Sequence, residues 1–165
     1  SRPRNSPLAK ALPAGGPTAI LFPGQGAQTV GMAGDWVDEH PVARELFARG
    51  SDVLGYDLLE ICRSGPADKL NTTAVSQPAI LVTSLAALEV QRVRDATPLD
   101  AAKLTAGLSL GEYTALVFSG ALGFDDAVRI VAERGRAMQD CAETSPSGMV
   151  AVLGMERDAV AALCE

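Results

Sequence analysis

The sequence holds a single histidine, His40, and only 4% aromatic residues. The first scarcity confines imidazole chemistry to one position. The second argues against a surface built to stack nucleic-acid bases. Positive charge is also short, with 14 Lys and Arg against 20 Asp and Glu and a net charge of −6. A general nucleic-acid binder needs cations in excess to neutralise phosphates, so that class is disfavoured. An acidic partner protein can still dock on a local basic patch. The three cysteines, Cys62, Cys141 and Cys164, are odd in number and far apart. That spacing suits neither a disulfide framework nor a metal site, and reduced thiols of a cytoplasmic protein are expected. No uninterrupted apolar run approaches the ~20 residues of a membrane span. The longest, around Ile80 to Val90, is broken by Thr83, Ser84 and Glu89 and reads as a core helix.

The chain begins with Ser rather than Met, and its first acidic residue is Asp35. Residues 1–17 contain Pro3, Pro7, Pro13 and Pro17 and no periodic apolar pattern. They read as a flexible tail or linker, with an Arg-bearing organelle leader as the alternative.

What is present is an alternation of short apolar runs and amphipathic stretches, the pattern of an α/β fold with a mainly parallel sheet. Thr18 to Phe22, stopped by Pro23-Gly24, looks like a buried parallel strand. Helices are expected from about Pro41 to Arg49 and from Pro78 to about Arg92, each with Pro in its first turn. Asp57 to Cys62 is expected to form a further helical turn. A strand over Lys103 to Ala106 should lead into a helix over Leu110 to Phe118, closed by Ser119-Gly120. Asp125 to about Gln139 is the next helix, with Val128, Val131 and Met138 as its inner stripe. Past Pro146-Ser147-Gly148, a strand over Met149 to Leu153 and a helix over Glu156 to Leu163 read as the start of a second unit. The expected divisions are 1–17, 18–145 and 146–165.

Gly107-Leu108-Ser109-Leu110-Gly111 is the feature that points to chemistry. A Gly-x-Ser-x-Gly run between a strand and a helix forms a nucleophile elbow. The glycines remove Cβ atoms that would collide in the sharp turn, and the serine hydroxyl faces outward. The N–H of the next residue, Leu110, then sits at a helix N-terminus, where partial positive charge can hold an oxyanion. With 16 Gly in the chain, chance can also supply the motif, and a turn whose serine caps a helix is the plainer alternative. Gly24-Gln25-Gly26 reads by itself as a tight turn, and Arg134, by itself, as a surface arginine.

The elbow continues as Ala106 to Leu116 in a form that resembles malonyl-CoA:acyl carrier protein transacylases and the related acyltransferase domains of fatty-acid and polyketide synthases. The resemblance covers nearly the whole chain from Ala19. It includes Phe22-Pro23-Gly24-Gln25-Gly26-Ala27-Gln28, Gly31-Met32, Gly65 to Asn71, Ser76-Gln77-Pro78-Ala79, Ala127-Val128-Arg129, Arg134-Gly135 and Met138-Gln139. It implies an α/β-hydrolase-like subdomain with a mainly parallel sheet, followed by a small ferredoxin-like subdomain. It also implies a Ser109 acyl-enzyme, oxyanion donors at the backbone N–H groups of Gln25 and Leu110, and Arg134 forked onto the malonyl carboxylate. Gln77 matches a residue near the pocket.

The implied reaction passes malonyl from coenzyme A to Ser109 and then to the phosphopantetheine thiol of acyl carrier protein. No metal, no cofactor beyond the thioester substrate, no nucleic acid and no membrane is implied. Leu108 departs from the family, which often has His there. His40 matches no catalytic position and reads as a surface residue. The family's general base lies well beyond the nucleophile, so the chain is expected to be an N-terminal portion without it. An acyltransferase domain of a larger synthase and an α/β esterase are the alternatives, and a binding module with a dead site is a third. Arg129 and Arg136 are candidates for steering the acidic carrier.

Overall fold

The computed structural model describes residues 18–145, 150 and 152–164. Two strands form a parallel pair, β1 (Thr18–Phe22) and β2 (Ala102–Gly107), with Phe22 opposite Gly107. Between them run α1 (Trp36–Glu39), α2 (Pro41–Leu54), α3 (Leu58–Ser64), α4 (Ala67–Leu70), α5 (Thr73–Arg94) and α6 (Thr97–Asp100). After β2 come α7 (Gly111–Phe118), α8 (Phe124–Thr144) and α9 (Arg157–Leu163). The expected α/β class with a parallel sheet is what the chain adopts.

α5 is the central helix and packs against α2, α7 and α8. Its buried Ile80, Leu81, Val82, Leu85 and Ala86 join Phe47 of α2, Leu58 of α3 and Val128 and Val131 of α8 in one core. Among the described residues it is the helix long and apolar enough to cross a membrane, yet 61% of that stretch is buried in the molecule. Such burial marks a core helix.

Several expectations need correction. α5 begins at Thr73, so Pro78 lies inside the helix, fully buried. Proline forfeits one bond there, to the Ala74 carbonyl, and burial of Val75, Ser76 and Gln77 in the added turn offsets the loss. α2 and α8 run on past their expected ends, α2 through buried Gly50 and half-buried Val53 and Leu54, which pack on the core, and α8 through exposed residues 140–144, which carry no apolar signal. β1 is buried on one side only: Ala19 and Leu21 are exposed, while Phe22 is buried and lies 5.9 Å, ring to ring, from Phe118 of α7. The strand expected over 149–153 lies partly outside the described residues, and Val152 and Leu153 are not in a strand. The expected tail, 1–17, lies outside them altogether. α9 forms where a helix was expected, and none of its residues is buried.

Candidate active site

β2 enters a sharp turn at Gly107 and leaves it as α7. Ser109, at the apex, has φ of 53°, and it is the non-glycine residue with positive φ among those described. An L-residue in that region carries strain of about 1–2 kcal/mol, which the surrounding turn must impose. The imposition is visible at the two glycines. A Cβ on Gly107 would overlap the Gly111 backbone, and one on Gly111 would press on the Phe22 and Pro23 carbonyls. No side chain fits at either place. The Leu108 N–H donates to the Phe22 carbonyl at 3.1 Å, which ties the elbow to the end of β1.

The loop after β1 lies against the same turn. A Cβ on Gly24 would stand 2.7 Å from the Leu108 carbonyl, so the Gln25 segment approaches the elbow as only glycine permits. Among the described residues, the backbone N–H groups of Gln25 and Leu110 have no hydrogen-bond acceptor in the protein. Leu110 itself is buried at the start of α7, at the positive end of the helix dipole, while the N–H groups of Gly111, Glu112 and Tyr113 after it donate to the Leu108, Ser109 and Leu110 carbonyls.

Arg134 reaches Ser109 from α8. Its Nη2 donates to Ser109 Oγ at 2.8 Å and its Nη1 donates to Gln77 Oε1 at 2.6 Å. Its guanidinium carbon stands 5.8 Å from the Tyr113 ring centroid. The surface reading of this arginine is therefore wrong: it is half-buried and turned toward the elbow. Its neighbours on α8 are paired, Arg129 with Asp126 and Arg136 with Glu133 and Asp140. Arg134 has no carboxylate within ion-pair distance among the described residues. A half-buried guanidinium with no counter-anion among the described residues, beside an exposed hydroxyl, has the geometry and charge to take a carboxylate.

Gln77 is completely buried on α5. Its Oε1 faces the donor-only guanidinium, and its Nε2 donates to Met138 Sδ at 3.3 Å. The amide orientation is thus set from both ends. Met138 was expected in the core stripe with Val128 and Val131, but it is partly exposed and serves Gln77 instead. Its signal in the sequence is its place one turn past Arg134, on the same helix face. Tyr113 also went unremarked; it sits one turn past Ser109, under the arginine.

His40 is remote from this cluster and half-buried at the α1–α2 junction, not fully exposed. Its Nε2 lies 3.2 Å from Arg94 Nη2, a donor, and its Nδ1 lies 2.7 Å from the Trp36 carbonyl. Both contacts are satisfied when Nδ1 carries the proton and Nε2 accepts. A surface cleft of about 610 Å³ near Phe47 and Tyr56 includes none of the site residues. Among the described residues no group of three His, Cys, Asp or Glu could hold a metal ion.

The acyl transferase domain family matches residues 20–164. The chain belongs to that family. This acyl transferase domain is 43% identical over 147 residues to the malonyl CoA-acyl carrier protein transacylase of Escherichia coli strain K12, covering 89% of the chain and 47% of the relative. It is 46% identical over 137 residues to the mitochondrial malonyl-CoA-acyl carrier protein transacylase of Homo sapiens, covering 83% and 35% respectively. Among solved structures it is similar to an acyl carrier protein S-malonyltransferase from Vibrio cholerae, with a TM-score of 0.77 and 39% identity over 90% of the chain and 48% of that structure. The chain spans less than half the length of each of these relatives.

Proposed function

We propose that this chain is the N-terminal portion of a malonyl-CoA:acyl carrier protein transacylase and carries its nucleophile, Ser109. The observation that supports the reading best is Arg134, a cation with no anion beside it among the described residues, hydrogen-bonded to Ser109 Oγ. A malonyl thioester brings the missing carboxylate. An anionic oxygen is a stronger acceptor for guanidinium than a neutral hydroxyl, so the carboxylate displaces Oγ from Nη2. That exchange frees the Ser109 lone pair as the thioester carbonyl arrives. An acetyl group offers no such exchange and leaves the arginine on the nucleophile.

Attack by Oγ on the thioester carbon forms a C–O bond and puts negative charge on the carbonyl oxygen. We assign the backbone N–H groups of Gln25 and Leu110 to that oxygen, supported by their having no acceptor among the described residues. Collapse of the intermediate breaks the C–S bond and releases coenzyme A as its thiol. The phosphopantetheine thiol of acyl carrier protein then repeats the attack on the malonyl ester. The proton leaving Ser109 needs a base. His40 is engaged elsewhere, so we assign that role to a residue outside this chain. Gln77 holds Arg134 in place and is proposed as a pocket residue, not a reacting one. No cofactor beyond the thioester substrate is invoked. We read residues 146–165 as the start of a separate small subdomain, supported by α9 contributing nothing to the core. A cytoplasmic location is proposed on the free thiols of Cys62, Cys141 and Cys164.

The carrier is not steered by α8 in this reading, because Arg129 and Arg136 are each paired with acidic neighbours. The test is mass spectrometry of the full-length protein after brief exposure to malonyl-CoA. A malonyl ester on Ser109 is expected, lost in Ser109→Ala, and its absence in the unsubstituted protein sinks the proposal. Arg134→Ala should lower the malonyl-to-acetyl preference by roughly 100-fold, the scale of two charge-assisted hydrogen bonds.

A further inference from the structure

The N-terminus of α5 lies between the loop that carries Gln25 and the face of α8 that carries Arg134. Thr73 is gripped there from three sides. Its backbone N–H, an orphan donor of the first helical turn, donates to Gln139 Oε1 at 3.0 Å. Its carbonyl faces the bare Cα of Gly135, where a Cβ would stand 2.6 Å away. Its hydroxyl accepts from Gln25 Nε2 at 3.2 Å. Thr72, at the N-cap, makes no capping bond, and its hydroxyl donates to the Lys69 carbonyl instead. Gln139 supplies from another helix an acceptor for the N1 donor, which an N-cap side chain does not serve. Its own orientation is set by Glu143, whose Oε1 accepts from Gln139 Nε2 at 2.8 Å.

We propose that Gln139 is a positioning residue that, through Thr73, holds the Gln25 loop in register with the nucleophile. The inference rests on the reading of Ser109 as the acylated residue. Gln25 is exposed and flanked by Gly24 and Gly26, the latter at φ of 104°, and the loop's own side-chain restraint is the bond from the Gly26 N–H to Gln28 Oε1 at 2.8 Å. Two side-chain tethers restrain it toward the α4–α5 junction, Gln25 to Thr73 and Gln28 Nε2 to Asn71 Oδ1 at 3.1 Å. Oxyanion donors act by standing in place before charge develops, and a displacement of about 1 Å removes much of their effect. The route from Gln139 to Gln25 is separate from the route through Met138 and Gln77 to Arg134. Its disruption therefore lowers turnover and leaves acyl selectivity alone.

The experiment uses the full-length protein with malonyl-CoA. Gln139→Leu keeps the bulk and removes the acceptor, and Thr73→Val removes the hydroxyl. Each should lower kcat roughly tenfold, with KM within about twofold and the malonyl-to-acetyl ratio unchanged. The double variant should be no slower than the slower single one, because both cut the same chain. Gln139→Glu combined with Glu143→Gln exchanges the amide and the carboxylate, keeps an acceptor at 139, and should restore kcat. Unchanged kcat in folded Gln139→Leu, a loss confined to KM, or additive effects would each overturn the proposal. Backbone ¹⁵N relaxation at Gln25 and Gly26 gives a readout independent of turnover. Order parameters of about 0.85 are expected in the unsubstituted protein, with a clear drop in both single variants. Equal values overturn the tether. Failure of the unsubstituted protein to take malonyl on Ser109 sinks the functional reading instead, and relaxation alone then judges Gln139.

Discussion

Ser109 combines strain with exposure, and the two can be separated by substitution. Ser109→Ala and Ser109→Gly both remove Oγ, and with it the bond from Arg134. They differ in the backbone, because alanine pays for φ of 53° and glycine does not. Ser109→Gly should therefore be the more stable of the two by about 1 kcal/mol, read from urea unfolding. Equal stabilities would show that the elbow imposes no strain. The same logic explains why the elbow was readable in the sequence. Its glycines obey a local steric rule, and a Cβ at 107 or 111 meets backbone rather than a yielding side chain. Arg134 was not readable in that way. Its partners, Gln77 and Ser109, come from distant parts of the chain, and no periodicity announces that an arginine turns inward. The resemblance supplied its proposed role, and the geometry supplies the reason that role is chemically available.

At the level of elements, the site depends on how closely α8 crosses the start of α5. Gly135 allows the approach, since any Cβ would strike the Thr73 carbonyl. Gly135→Ala should push the helices apart, costing about 1–3 kcal/mol of stability by the usual scale of overpacking. It should also weaken malonyl selectivity, because Arg134 and Gln77 stand on the two helices being separated. A shift in the urea midpoint without loss of selectivity would mean the helices yield elsewhere. The extent of α5 was hidden for a related reason. Its first turn carries Ser76 and Gln77, polar residues that are buried, and Pro78 mimics a helix start. Burial of polar groups against partners from other elements leaves no pattern in the local sequence. Val128 and Val131, apolar and local in their logic, were legible, whereas Met138 was displaced from the core by its task at Gln77.

Across the whole molecule, charge and apolar surface are unevenly placed. Burial pushes the Cys62 thiol from 9.0 up to about 12, and burial, with Cys62 adding to it, pushes Tyr56 from 10.0 up to about 12. In both cases the fold favours the protonated form. Stability from these groups is complete below pH 9 and is lost as pH rises from there toward 12. The urea midpoint should fall over that window, and Cys62→Ala should flatten the early part of the fall. The bare side of the strand pair offers a more direct test. Leu21, Leu104 and Leu108 are 73%, 63% and 72% exposed, and all three come from β1, β2 and the turn that follows. Adjacent apolar side chains on an open sheet face bind hydrophobic dyes and self-associate. The 165-residue chain expressed alone should enhance anilinonaphthalene sulfonate fluorescence and sediment as more than a monomer. Leu21→Asn with Leu104→Asn should suppress both without lowering the urea midpoint, since neither leucine contributes to the core. Dye binding that survives the double substitution would locate the sticky surface elsewhere. A full-length protein that binds the dye as strongly as this chain would show that the sheet face stays open in the complete fold.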